Sequence, residues 1–275
     1  LMSDLVVSDV RARASQELGH FPGRRVVVVG DVIVDRTTHS HAVGLSVETP
    51  TLKVEVDSTV LSPGGAGNVA HNVMLLGAVC DLVTVSQYSH VGPEFAPLDP
   101  QHIHAVPTDK LNSVKHRVWV ERGGVSYKCL QLNETDRTPV TDVEFRAVLE
   151  ECRRVLPGAA SAVIIDYGMG MLSNRTHVSS LLHLCTSMGV PTLCGAQSSD
   201  LTAVAAYGRF TGADTLCMNG REAAELFMPF KGTREYARYL RDRLKSDVFV
   251  TLGRDGAVAA AADDSTSHRL APVHG

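Results

Sequence analysis

The sequence predicts an α/β protein with a mainly parallel central sheet, helices on both faces, and a small β element set apart from that core. Three observations carry the prediction. Short β-branched runs recur along the chain, at RVVVVGDVIV (25–34), VCDLVTV (79–85) and SAVIIDYG (161–168). Continuous apolar runs of this kind suit strands buried on both faces. Helical stretches separate them, and strands alternating with helices imply a parallel sheet covered by helices. The third observation is a segment that does not fit such a core. TLKVEVDSTVL (51–61) alternates, with Leu52, Val54 and Val56 on one side and Lys53, Glu55 and Asp57 on the other. That period belongs to a sheet with one wet face.

Each element follows from a local signal. After the glycine cluster at 62–67, Val69, Val73 and Leu76 recur at helical spacing, and Gly77 closes the helix. Ser86 to Thr108 is rich in Pro, His and Gly and gives no periodic signal. VKHRVWVE (114–121) and VSYKCLQL (125–132) flank Gly123-Gly124, a hairpin signature. Thr141 and Glu144 form a capping box ahead of FRAVLEECRRVL, which Pro157-Gly158 ends. VPTLCG (190–195) and DTLCMN (214–219) read as strands between helical stretches near 175–188 and 220–228. An amphipathic helix near 233–245 leads to two strands joined by an Asp255-Gly256 turn. The alternating segment and the hairpin are expected to form a lid, about 36–61 and 112–133, over the C-terminal edge of the sheet.

Composition narrows the function. The chain has 275 residues, 44% apolar and 20% charged, as in an ordinary globular protein. Its 26 Lys and Arg stand against 30 Asp and Glu, with no basic cluster, so nucleic acid is not an expected partner. No apolar run is long enough to span a bilayer, so no membrane partner is expected either. The first twenty residues mix charges throughout and lack a signal-peptide core, and Leu1 ahead of Met2 reads as an added residue. Six cysteines without a C-x-x-C pair suit reduced, mostly buried thiols in a cytoplasmic protein. His39 and His41, and His102 and His104, lack Cys or carboxylate partners at ligand spacing and read as surface histidines of loop or lid.

The glycine cluster SPGGAGNVAHNV (62–73) fits G-x-G-x-x-A at Gly65, Gly67 and Ala70, one form of a dinucleotide-binding fingerprint. That fingerprint needs a buried strand directly before it and an acid ending the next strand. Here the preceding strand is amphipathic and set off by Ser62-Pro63, while Asp81 starts the next strand rather than ending it. Both requirements fail. No G-x-x-x-x-G-K-[ST] occurs, which excludes a P-loop, and no G-x-S-x-G occurs, which leaves a serine-hydrolase elbow unsupported. Adjacent glycines still let backbone approach a ligand, and Asn68 adds a donor and an acceptor, a combination suited to a polyhydroxylated molecule.

Taken in order, VVVVGDVIVDR, PGGAGNVAHNVMLLGA, VIIDYGMG, NGREAAEL and VTLGRDGA resemble the ribokinase-like (phosphofructokinase-B type) carbohydrate kinases. Within them the series is most similar to the bacterial D-glycero-D-manno-heptose 7-phosphate kinases. The resemblance spans nearly all of residues 24–262 and implies a ribokinase-like three-layer fold, one kinase domain over 1–275 continuing past the last residue. It implies an ATP- and Mg2+-dependent transfer of the γ-phosphoryl to a hydroxyl of a phosphosugar, as a heptose 7-phosphate 1-kinase, in a homodimer paired through the lid. On it, Asp35, Gly64, Gly65 and Asn68 hold the sugar, and Lys115 and Arg117 of the hairpin meet the existing phosphate. Asn219 and Glu222 lie beside the triphosphate, Glu222 reaching Mg2+ through its shell, and Thr251 and Gly253 contact the nucleotide. Residue by residue, each position also has an ordinary structural reading: a turn acid, a cap, an exposed basic residue.

The chain departs from the family at several points. The GAGD segment that supplies the anion hole and catalytic base is absent, so the resemblance assigns no base. Met169 replaces a Lys expected near the phosphates, Gly195 an Asp at a strand end, and Gln131 and Asn133 an Arg and an Asp in the lid. The usual G-x-D-x-x-G after the second core strand is also missing. These departures leave two alternatives open: a catalytically silent sugar- or nucleotide-binding homologue, or a kinase for another sugar such as ribose, fructose or a nucleoside.

Overall fold

The computed structural model describes residues 15–87, 92–197, 202–227, 231–261 and 269–270. Thirteen strands are named here in chain order: β1 (Arg25–Gly30), β2 (Val32–Leu45), β3 (Leu52–Gly65), β4 (Val79–Ser86), β5 (Ile103–Pro107), β6 (Ser113–Arg122), β7 (Val125–Glu134), β8 (Ser161–Asp166), β9 (Thr192–Ala196), β10 (Thr215–Asn219), β11 (Asp247–Thr251), β12 (Ala257–Ala260) and β13 (Arg269–Leu270). The helices are α1 (Ala66–Leu75), α2 (Asp142–Val155), α3 (Arg175–Ser187), α4 (Ala203–Tyr207), α5 (Gly220–Leu226) and α6 (Arg234–Leu244). The central sheet has the order β13-β12-β11-β10-β9-β8-β1-β4-β5 and is parallel from β11 to β5, with β12 and β13 antiparallel.

Two apolar layers flank it. Val26 and Val28 of β1 face α1, packing with Ala66, Ala70 and Phe95, while Val27 and Val29 face Phe145, Val148 and Leu181 of α2 and α3. This strict alternation within one strand is what burial on both faces looks like. Farther along the sheet, Val248 and Val250 join the second layer, whereas Phe249, Cys217 and Leu193 belong to neither and stay partly exposed.

The run at 25–34 is not one strand. It breaks at Asp31, where the chain leaves the central sheet for a second, four-stranded sheet ordered β3-β2-β6-β7. Within it β2 pairs antiparallel with β3 and parallel with β6, and β6 with β7 forms the expected hairpin across Gly123 and Gly124, whose φ of 61° and 79° only glycine adopts freely. The alternating segment also runs farther than its pattern suggests. β3 continues through Ser62 and Pro63 and feeds directly into α1, and it is exposed on both faces until Pro63. An edge strand of a free-standing sheet has no layer behind it, so alternation alone does not bury either side.

Other differences are local. Ile103–Pro107, inside the stretch that showed no periodicity, is the edge strand β5. Leu76 is 41% exposed and lies outside the buried stripe of α1, which is formed by Ala66, Gly67 and Ala70. The short α4 carries no recognisable pattern in sequence. His102 and His104 are not free surface histidines: His102 Nδ1 and His104 Nε2 lie 2.8 and 3.0 Å from Asp81 Oδ1, and Arg25 Nη2 lies 2.9 Å from Asp81 Oδ2. His39 is exposed as expected, and exposed His41 contacts Asp57. Of the six cysteines, none forms a disulfide and Cys129 is exposed on β7. No described helix is long and apolar enough to cross a membrane.

Candidate active site

The second sheet leans over the C-terminal ends of β8 to β11, and between them lies a cavity of about 510 Å³. Ligands of open α/β sheets bind at this edge. Asp35 of β2, Lys115 and Arg117 of β6, Gly65 of β3 and Asn68 of α1 line one half of it. Asn219, Glu222 and Thr251 line the other half. Gly253 sits in an adjoining cavity of about 660 Å³, which shares Asn219 and Thr251 with the first. Nine of the ten residues singled out in sequence thus line two neighbouring cavities. The tenth, Gly64, lies beside them: a side chain there would put its Cβ 2.7 Å from Asp35 Oδ2.

The glycines divide by task. Gly64 lets the Asp35 carboxylate lie against the main chain. Gly65 has φ 61°, and a Cβ on it would fall 2.4 Å from the Asp31 carbonyl oxygen. Gly67 serves packing, since a Cβ there would meet the Phe95 ring at 2.4 Å. The strand leading into this cluster, β3, is an exposed edge strand of the second sheet and not the buried strand that the dinucleotide fingerprint requires.

Arg117 does not stand free for a phosphate. Its Nη1 pairs with Asp35 Oδ1 at 2.7 Å, both side chains being part-exposed. The pairing fixes one of the two Asp35 oxygens. Lys115 reaches across to the central sheet: its Nζ donates to Gln197 Oε1 at 3.2 Å and lies 5.8 Å from the centre of the Tyr167 ring. Burial, then the Asp35 charge, pushes the Tyr167 hydroxyl above its ordinary pKa.

On the opposite side, Asn219 and Glu222 form a reciprocal capping box on α5. Glu222 N–H donates to Asn219 Oδ1 and Asn219 N–H to Glu222 Oε2, each at 2.9 Å. Glu222 is only 5% exposed, and the buried Tyr207 hydroxyl lies 3.0 Å from the same Oε2. Tyr207 also reaches the carbonyls of Cys217 at 2.8 Å and Ala196 at 3.2 Å, tying β9, β10 and α5 together at the cavity wall. Tyr167, Gln197 and Tyr207 line the same cavity, and the sequence alone does not single them out. A tyrosine after a strand-ending Asp was visible in DYG, but Gln197 and Tyr207 lie on segments with no motif.

Three departures take on a physical meaning. Met169 is buried and lines a separate small cavity beside Asp31 and Lys110, so position 169 faces away from the main cavity. Gly195 lines the main cavity, where a Cβ would press on the Ile165 side chain at 3.0 Å. Gln131 and Asn133 hydrogen-bond each other at 3.0 Å on exposed β7. The segments proposed to lack G-x-D-x-x-G fall partly on 88–91, outside the described residues.

The two sheets with the cavity between them form the fold seen in ribokinase-like carbohydrate kinases. Phosphofructokinase-2 from Escherichia coli in complex with fructose-6-phosphate superposes with a TM-score of 0.67 over 91% of this chain and 80% of that one, at 18% identity. A carbohydrate kinase from Agrobacterium tumefaciens gives 0.64 over 87% and 74%, at 19% identity. In sequence the chain is similar to bifunctional protein HldE of Rhodospirillum rubrum, 27% identical over 254 residues, covering 89% of this chain and 49% of that protein. HldE of Coxiella burnetii is 30% identical over 203 residues, 72% of this chain and 39% of that protein. The chain therefore spans less than half the length of these curated relatives. No protein-family model matches it.

Proposed function

We propose that this chain is the kinase unit of an ATP-dependent sugar kinase whose acceptor is a phosphosugar, a heptose 7-phosphate phosphorylated at its 1-hydroxyl. One observation carries the reading: residues expected for sugar and residues expected for nucleotide face each other in one cavity under the second sheet, and Gly253 lies in the cavity adjoining its nucleotide half. In this reading that sheet is the lid of a single kinase domain. Phosphoryl transfer depends mainly on positioning and charge neutralisation, so bringing two sites face to face is the larger part of the task.

Asp35, held by Arg117, accepts hydrogen bonds from sugar hydroxyls, and Gly65 and Asn68 form the floor beside it. Lys115 is the cation nearest to hand for the sugar's own phosphate, and a bound phosphate draws Arg117 into a shared contact with Asp35. Asn219, Thr251 and Gly253 frame the nucleotide. The donor set fits Mg2+ held chiefly through water and phosphate oxygens: Glu222 is one buried carboxylate beside the nucleotide half, and no group of three or more His, Cys, Asp or Glu among the described residues forms a metal cage. When bound there, the ion neutralises charge on the triphosphate.

The exposed side of the lid supports pairing of two chains. Leu61, Leu130 and Leu132, 43%, 50% and 48% exposed, lie with Val56 and Tyr127 on the face opposite Asp35 and Lys115. These side chains sit on the two edge strands β3 and β7, and we read the apolar exposure of this face as a homodimer contact in a cytoplasmic enzyme. A second reading, binding without turnover, rests on the two carboxylates that line the main cavity. Asp35 is paired with Arg117 and Glu222 is engaged in its cap, so neither is placed as a free base. A coupled assay of ADP release across phosphosugars separates the two. Sugar-dependent release supports the kinase, and saturable binding of ATP and sugar without release supports the alternative.

A further inference from the structure

Asp31 is a buried carboxylate that the reaction scheme leaves unused. It occupies the single-residue break between β1 and β2, where the chain passes from the central sheet into the lid, and is 3% exposed. Its carbonyl oxygen accepts from Ala66 N–H at 2.9 Å, at the start of α1, and lies where a Cβ on Gly65 would fall. Its side-chain Oδ1 accepts from Met171 N–H at 3.1 Å, and the Met169 amide also contributes. Oδ2 has no hydrogen-bond partner among the described residues.

Three segments of the sugar half therefore meet at this residue. β2 carries Asp35 four residues on. The glycine turn carries Asn68. The loop from 167 to 172 carries Tyr167, which faces Lys115 across the cavity. Both ends of that loop are held as well: the first by Asp166, whose Oδ1 accepts from Gly168 N–H at 2.7 Å, and the last by Arg209, whose Nη1 donates to the Leu172 carbonyl at 3.1 Å. We infer that Asp31 is a positioning residue for the sugar site, fixing the 167–172 loop through its side chain and the glycine turn through its main chain. It does not line the main cavity. The inference rests on the cavity being a sugar site.

The electrostatics agree with the geometry. Burial, then the charge of Asp166 on β8, pushes the Asp31 carboxyl up to about 7, while the Met171 amide, the Lys110 ammonium and the Met169 amide pull the other way. Asp136 lines the same small cavity as Lys110, and Lys110 donates to the carbonyls of Asp136 and Thr138. Arg209 pairs with Asp166 at 2.8 Å. Asp31 therefore changes charge near neutrality, and with it the strength of its hold on the loop.

The test compares Asp31→Ala and Asp31→Asn with the parent protein. Amide hydrogen exchange is followed in 167–172, and KM for heptose 7-phosphate and for ATP is measured from pH 5.5 to 8.5. Asp31→Ala should speed exchange in 167–172 and raise sugar KM about tenfold while ATP KM stays within about twofold, the pattern of a lost positioning contact. Asp31→Asn keeps an acceptor for Met171 N–H, so it should preserve the exchange pattern yet lose the step in sugar KM near pH 7. Unchanged exchange in Asp31→Ala, equal shifts in both KM values, or a persisting step in Asp31→Asn would overturn the inference. If Asp31→Ala does not fold, the pH profile of Asp31→Asn decides. If the parent turns over no phosphosugar, the kinase reading fails by itself, and exchange still decides whether Asp31 holds the loop.

Discussion

In the proposed kinase, sugar recognition turns on the pair Asp35 and Arg117, since one oxygen of the carboxylate is fixed by the guanidinium and the other rests against Gly64. Asp35→Asn and Asn68→Ala should each weaken sugar binding much more than ATP binding, measured by titration calorimetry with each ligand. The glycines give a sharper contrast. Gly64→Ala drives a methyl to within 2.7 Å of Asp35 Oδ2 and should lower sugar affinity. Gly67→Ala presses on Phe95 instead, and overpacking of this kind should lower stability by about 1–3 kcal/mol in thermal or urea unfolding with the ratio of sugar to ATP affinity unchanged. Asp31 sets a pH dependence of stability. Its folded pKa of about 7 lies above the ordinary 3.8, so the folded state holds a proton that the unfolded chain has already lost between those values. Stability contributed by this group is fully present below about pH 4 and is lost as pH rises to about 7. Asp31→Asn should flatten unfolding free energy across that window, as measured by urea denaturation at several pH values. A variant curve parallel to that of the parent would contradict the assignment.

Among the elements, the lid is where pattern and structure diverge most. The hairpin was legible because Gly123-Gly124 is a turn signal that acts locally. The burial of β3 was not, because alternation reports a wet face only when another layer covers the dry one, and β3 is an edge strand exposed on both sides. The break at Asp31 was equally hidden: Val32, Ile33 and Val34 are as apolar as β1, yet they leave for another sheet, a choice fixed by tertiary pairing with Ser62 to Gly65. The capping box on α5 shows the reverse case, in which a motif has two meanings at once. Asn219 and Glu222 cap the helix and also line the half of the cavity proposed for the nucleotide. Asn219→Ala should therefore cost about 1 kcal/mol of stability through the lost cap and also raise ATP KM. The outward apolar face of the lid gives a prediction at this scale. Leu130→Glu with Leu132→Glu should convert a dimer into a monomer in analytical ultracentrifugation, and a species of unchanged mass would remove the lid from the contact.

At the scale of the whole molecule, the parallel order of strands and the edge at which ligands gather were readable from βα alternation and strand-end motifs. The pairing of sugar and nucleotide residues across that edge was not, since residues near 35, 68, 117, 167, 197, 219 and 251 are brought together only by the fold. Tyr207 illustrates the limit: it binds carbonyls of two strands and the Glu222 carboxylate from a five-residue helix with no motif of its own. Position 169 illustrates another, because its loop turns the Met169 side chain away from the cavity that the neighbouring Tyr167 lines. The central claim is that this cavity joins ATP to a phosphosugar. ADP release by the full-length protein with ATP and Mg2+, measured across a panel of phosphosugars, tests it most directly. The account predicts release that depends on the phosphosugar, is greatest with heptose 7-phosphate and is strongly reduced in Asp35→Asn. Release at the same rate with and without every phosphosugar would contradict it.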